Sequence, residues 1–263
     1  AQPFSGADFW HAYELSWLAS DRRPLARVGR ITVPADSPNI IESKSLKLYL
    51  NSLNNHCFGS ESEASDMISR DLSAVAGAAV SIELMALDDE RLHGVDPPGN
   101  CIDEAPLQPS ADASLVVMPE AGTPEAGTPG AGTPEAGTPE AGTPEADILQ
   151  VDTSQRRDEQ LFSHLLRSLC PVTGQPDWAT LWIEYRGGAA VDHGSLLAYI
   201  LSYREHQEFH EQCTERMFCD LQARLQPDHL TVQACYTRRG GLDINPLRST
   251  ASVVAPLGRF NRQ

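Results

Sequence analysis

Residues 121–145 repeat the pentapeptide Ala-Gly-Thr-Pro-Glu five times, the second copy ending in Gly130 in place of Glu. Such a stretch cannot build a core, because it holds nothing large to bury and its period is too short for a solenoid. It reads as a disordered or polyproline-like acidic linker that divides the 263 residues into two segments. Each segment is large enough for a modest domain, with boundaries expected at 1–118, 119–146 and 147–263.

The two segments share a rhythm. In the first, residues 28–33 alternate apolar and polar like a strand, and Pro34 ends it. Leu46, Tyr49, Leu50 and Leu53 then recur at helical spacing, and a second helix is expected over 63–76 with Ile68, Leu72 and Val75 inward. Period two returns at 79–87. In the second segment, 178–186 reads as a strand and Leu196, Leu197 and Ile200 mark a short helix. A longer helix is expected over 206–225, with Phe209, Cys213, Phe218, Leu221 and Leu225 as its stripe, and a strand over 230–236. The aromatic-rich residues 8–18 fit either a helix or a strand. Strand, two helices, strand, occurring twice, predicts an α+β fold made by duplicating one antiparallel unit.

Charge and cysteine usage exclude several functions. A net charge of −16 argues against a general binder of the nucleic-acid backbone, which needs a basic face. No apolar run is long enough to span a membrane. The six cysteines are scattered, without Cys-x-x-Cys pairs or zinc-type Cys/His spacing, so they are expected to be reduced thiols in a soluble cytoplasmic protein with no structural metal. No Gly-x-Gly-x-x-Gly separates a strand from a helix, which excludes the usual dinucleotide-binding turn.

Four places carry chemistry. In residues 163–178, Cys170 stands before Pro171, where an ordered turn should present its sulfur, and Asp177 follows Pro176 at the mouth of a strand. A cysteine acts as a nucleophile only as the thiolate, in a polar setting with a group nearby to handle protons. The plainer alternative is a cysteine that fills core space. Glu42-Ser43-Lys44 falls at a strand-to-helix junction suited to anions, or equally to a helix cap formed by Ser43 or Ser45. His210-Glu211 lies among other charges as on a solvated helix face, and Arg238-Arg239-Gly240-Gly241 makes a basic turn able to clamp phosphate.

These blocks, with 13–17 and the run on to Pro246, resemble the bimodular 7-cyano-7-deazaguanine reductases, NADPH-dependent nitrile reductases of queuosine biosynthesis. The resemblance implies tandem tunnelling-fold modules, antiparallel sheets with helix pairs on one face, associating as a homodimer. It implies that Cys170 forms a covalent thioimide with the nitrile carbon, that Asp177 donates a proton and that His210 shares this work. Ile41, Glu42, Ser43, His210 and Glu211 would bind substrate, while Ser43, Lys44, Arg239 and Gly240 would hold NADPH. Departures from that family include the pentapeptide repeat, the poorly fitting segment 105–118, and Leu169 where an Asn usually precedes the cysteine. A zinc-dependent hydrolase of related fold would need metal ligands at a spacing this sequence lacks, and a purine-binding module would need Cys170 merely packed.

Overall fold

The computed structural model describes residues 2–107, 144–252 and 255–263, so all but the last three residues of the expected linker lie outside them. The N-terminal aromatic segment is a strand, β1 (Ser5–Leu18), pairing antiparallel with β2 (Pro24–Pro34), which in turn pairs with β3 (Ser81–Met85). Beyond the repeat, β5 (Val151–Leu169), β6 (Pro176–Val191), β7 (His229–Tyr236) and β8 (Leu242–Ser249) are antiparallel neighbours, and the short β4 (Asn100–Cys101) runs parallel to β5. A single eight-stranded sheet results, ordered β3-β2-β1-β8-β7-β6-β5-β4. Its two halves meet along a seam between β1 and β8, which runs from Ser5 opposite Ser249 to Ala12 opposite Leu242.

Among the described residues, four α-helices supply the apolar cover: α1 (Ser43–Ser52), α2 (Glu61–Ala76), α3 (His193–Leu201) and α4 (His210–Leu225). Because side chains alternate along a strand, Trp10 and Ala12 of β1 join the core under the first helix pair while Phe9 and His11 face the other way. That core also takes in Leu242 and Ile244 from β8, so it crosses the seam. A second core lies under α3 and α4. On the opposite side of the sheet, Gln263 at the C-terminal end hydrogen-bonds Asn245, and His11 meets Asp243 at 2.8 Å.

Four expectations need correction. Each half begins with two strands rather than one, since β5 precedes β6 as β1 precedes β2, and the second half closes on the unexpected β8. Val75 points outward at 56 % exposure; Ala64, Ile68, Leu72 and Ala76, four residues apart, carry the buried stripe of α2. The long helix starts at His210 and not at 206, because Ser202–Glu205 is a separate 3-10 turn, so Phe209 is the N-cap and no stripe member. Neither Ser43 nor Ser45 caps α1: Glu42 does, accepting from Lys44 N at 2.8 Å and from Ser45 N at 2.7 Å.

Candidate active site

Cys170 opens the six-residue connection from β5 to β6. Its N–H donates to Gln175 O and its carbonyl accepts from Gly174 N, both at 2.9 Å, closing a tight loop in which Gly174 takes the positive φ of 65°. The Gln207 side chain donates to the carbonyls of Cys170 and Pro171, at 3.1 and 3.3 Å. The loop is thus pinned by its backbone, and Cys170 is half-buried at a cavity wall rather than packed in a core.

That cavity, about 290 Å³, straddles the seam. The second half contributes Cys170, Asp177, His210, Glu211, Arg239 and Gly240, and the first half contributes Ile41, Glu42, Ser43 and Lys44. Every site residue that the family resemblance implied therefore lines one space, whereas Arg238 of the basic turn lies over the Tyr13 ring instead. Trp10, Lys47 and Phe209 line it too. The expectations had omitted these, and only Trp10 had a visible signal, as a large aromatic on the strand that forms the seam.

Asp177 is the electrostatic hub. It is buried on β6, paired with Arg239, and His210 Nε2 stands 3.1 Å from its Oδ2, close but off the line of a hydrogen bond. Burial would raise its pKa, but His210 and Arg239 outweigh that and hold it below the usual carboxylate range, so Asp177 is ionised at neutral pH. Arg239 also donates to the Gln175 side chain at 2.9 Å, tying the basic turn to the Cys170 loop. His210 is stacked on Tyr236, ring centroids 3.9 Å apart, which fixes the imidazole plane.

Glu211 behaves otherwise. Far from a solvated helix face, it is 6 % exposed, and its pKa is pushed up to about 8, by burial first and by the charge of Asp8 second. Behind it, the buried Arg248 bridges Asp8 at 2.7 Å and Glu215 at 2.8 Å. Glu42 is more open and is already engaged by its capping bonds and by Ser45 Oγ at 2.6 Å. Burial works to raise its pKa, but the hydrogen bonds from Ser45 and Lys44 N prevail and lower it.

Cations gather at the mouth. Lys47 donates to Glu14 at 3.1 Å and to the Gly240 carbonyl, while the exposed Lys44 has no acid partner outside its own turn among the described residues. Gly240 has φ 59°, and a Cβ there would lie 3.2 Å from Lys47 Nζ, so a side chain would crowd this approach.

One metal-like cluster occurs among the described residues: His206, Glu208 and Cys213 bring ligand atoms within 4.8 Å. Its donors are already committed. Glu208 accepts from Arg216 at 3.2 Å and meets His206 at 2.8 Å, and burial pushes the Cys213 thiol up to about 12, against the thiolate a metal requires.

Comparison with known proteins identifies the family. Residues 1–84 match the family model described as nitrile reductase, 7-cyano-7-deazaguanine-reductase N-term, and residues 176–254 match the QueF-like protein model. The chain belongs to the 7-cyano-7-deazaguanine nitrile reductase family. This two-module arrangement is consistent with its bimodular form, and the family's chemistry is an oxidoreductase reaction that needs a reductant. Among solved structures, the chain is similar to the apo crystal structure of the archaeosine synthase QueF-Like, at 19 % identity over 38 % of this chain and 95 % of that one, with a TM-score of 0.31. No helix among the described residues is long and apolar enough to cross a membrane.

Proposed function

We propose that this protein reduces the nitrile of 7-cyano-7-deazaguanine to the aminomethyl group with NADPH, by way of a thioimide on Cys170. The convergence of Cys170, Asp177 and His210 with Glu42, Ser43 and Lys44 on one cavity, from opposite sides of the seam, carries this reading. A nitrile is a weak electrophile. Adding the Cys170 sulfur to its carbon, with a proton passing to nitrogen, leaves a C=N group able to accept hydride. Asp177 and His210 form the proton-handling pair. With Asp177 ionised, the proton it relays comes through its contact with His210 or from the Cys170 thiol.

Ile41, Ser43, His210 and Glu211 hold the deazapurine, whose N–H donors suit a carboxylate. Glu42 keeps spare lone pairs for the same edge. Ser43, Lys44, Arg239 and Gly240 fit a phosphate-bearing cofactor, since cations and an open glycine backbone meet at the mouth. Bound there, NADPH would supply hydride, twice for each nitrile reduced to amine. We further assign to this reading tandem tunnelling-fold modules at 1–118 and 147–263 joined by a 119–146 linker, a cytoplasmic homodimer, and no direct contact with nucleic acid or membrane.

The test is to mix the protein with the nitrile and follow NADPH absorbance, then to weigh the protein after nitrile alone. Cofactor oxidation and a mass gain on the peptide holding Cys170 are expected. A protein that oxidises no NADPH and gains no mass refutes the assignment.

A further inference from the structure

Trp10 is 2 % exposed, and its indole Nε1 is buried without a hydrogen-bond partner among the described residues. Native proteins seldom leave a buried N–H unpaired, and those that remain call for a specific explanation. Trp10 shares the wall of the main cavity with Glu211 and Ile41, and the same three residues line an adjoining cavity of about 220 Å³. An uncommitted donor and a buried carboxyl thus line the same two cavities.

The cationic donors Lys47 and Arg239 are committed, while His210 Nε2 is, like the indole, buried without a hydrogen-bond partner among the described residues. Lys47 serves Glu14 and the Gly240 carbonyl, Arg239 serves Asp177 and Gln175, and His210 Nε2 faces Asp177. Lys44 is exposed at the mouth. Trp10 is also held rigidly: β1 places it opposite Ile31 on one side and Ile244 on the other, and Asp8, two residues earlier on the same face, is locked to the buried Arg248. A donor fixed in this way loses little entropy when it finds its acceptor.

Resting on the proposed function, we infer that Trp10 is a specificity-determining residue whose indole N–H donates to the ring carbonyl oxygen of the deazapurine, beside the ring and amino N–H groups accepted by Glu211. The substrate's edge presents one acceptor and two donors in a row. Ionised against the substrate's two N–H groups, Glu211 satisfies the donors, and the acceptor falls to the indole N–H.

The experiment compares Trp10→Phe with the unaltered protein on two substrates: the nitrile itself and its 6-thioxo analogue, whose sulfur accepts hydrogen bonds weakly while the neighbouring N–H groups remain. The unaltered protein should prefer the oxo compound by about tenfold or more in kcat/KM. Trp10→Phe should raise KM for the oxo compound about tenfold with kcat nearly unchanged, and should lose the preference. Equal losses on both substrates, or none on either, overturn the inference by making Trp10 a packing residue. Should Trp10→Phe fail to fold, the unaltered protein still decides, because an absent preference for oxo over thioxo is equally fatal. Failure of the function itself looks different: no adduct and no NADPH oxidation with the unaltered protein.

Discussion

Two hairpin loops, Ala19 to Arg23 in the first half and Cys170 to Gln175 in the second, share one backbone plan. Leu18 donates to His56 O at 2.8 Å and accepts from Phe58 N at 2.9 Å; Leu169 donates to His206 O at 2.8 Å and accepts from Glu208 N at 3.2 Å. The first loop closes with Ala19 N to Arg23 O at 2.9 Å, as the second closes from Cys170. Tyr49 to Asp71 at 2.8 Å is likewise matched by Tyr199 to Asp220 at 2.6 Å. The side chains diverge where chemistry would occur. By this register Ala19 stands in the place of Cys170, Leu25 in that of Asp177 and Ser60 in that of His210. In return, α1 opens on Glu42-Ser43-Lys44 where α3 opens on Asp192-His193-Gly194. The duplicated fold is common property, while Cys170 and the Glu42-Ser43-Lys44 helix end are each kept by one half, so the proposed site exists only across the seam.

The sharpest way to break this comparison is Cys170→Ala, which gives the second loop the first loop's residue. We expect nitrile reduction to fall below detection and the nitrile-dependent mass gain to vanish, with Tm nearly unchanged because Ala19 already shows that alanine suits this loop. Next in size, Asp177→Asn should lower kcat about 10²- to 10⁴-fold in steady-state assays, the usual range for a positioned proton-transfer group. Lys44→Ala should raise KM for NADPH about tenfold and leave adduct formation intact, since it removes charge from the mouth and not from the sulfur.

Glu211→Gln has the smallest effect and a definite sign in pH. A carboxyl whose pKa rises on folding, here from 4.5 to about 8, favours the fold while protonated and loses that contribution as pH climbs through this range. Thermal melts should show the glutamine variant gaining on the natural protein from pH 5 to pH 8 and the difference closing in acid. A flat difference across pH would place the Glu211 charge in water.

Much of this was legible in the sequence, though unevenly. Cys170 before Pro171 and Asp177 after Pro176 marked the loop, and helical spacing marked α1, because local chemistry sets both. β5 was missed altogether, since its outer part is exposed and polar, with no alternation to read. β8 was missed because Pro246 and the polar Asp243, Asn245 and Arg248 argue against a buried strand. Its burial is possible only because those groups find partners in Tyr13, Gln263, Asp8 and Glu215 from distant parts of the chain. The same blindness made Glu211 look solvated: charge is visible in a sequence, but what covers it is not.

The β1–β8 ladder also carries a liability. Were the chain cut within its pentapeptide repeat and the pieces parted, each would bare a long row of unpaired amides and carbonyls, which is the template on which strands polymerise. Kept together, the same rows should zip the fragments back into register, so a nicked molecule would stay whole and active while either fragment made alone would precipitate.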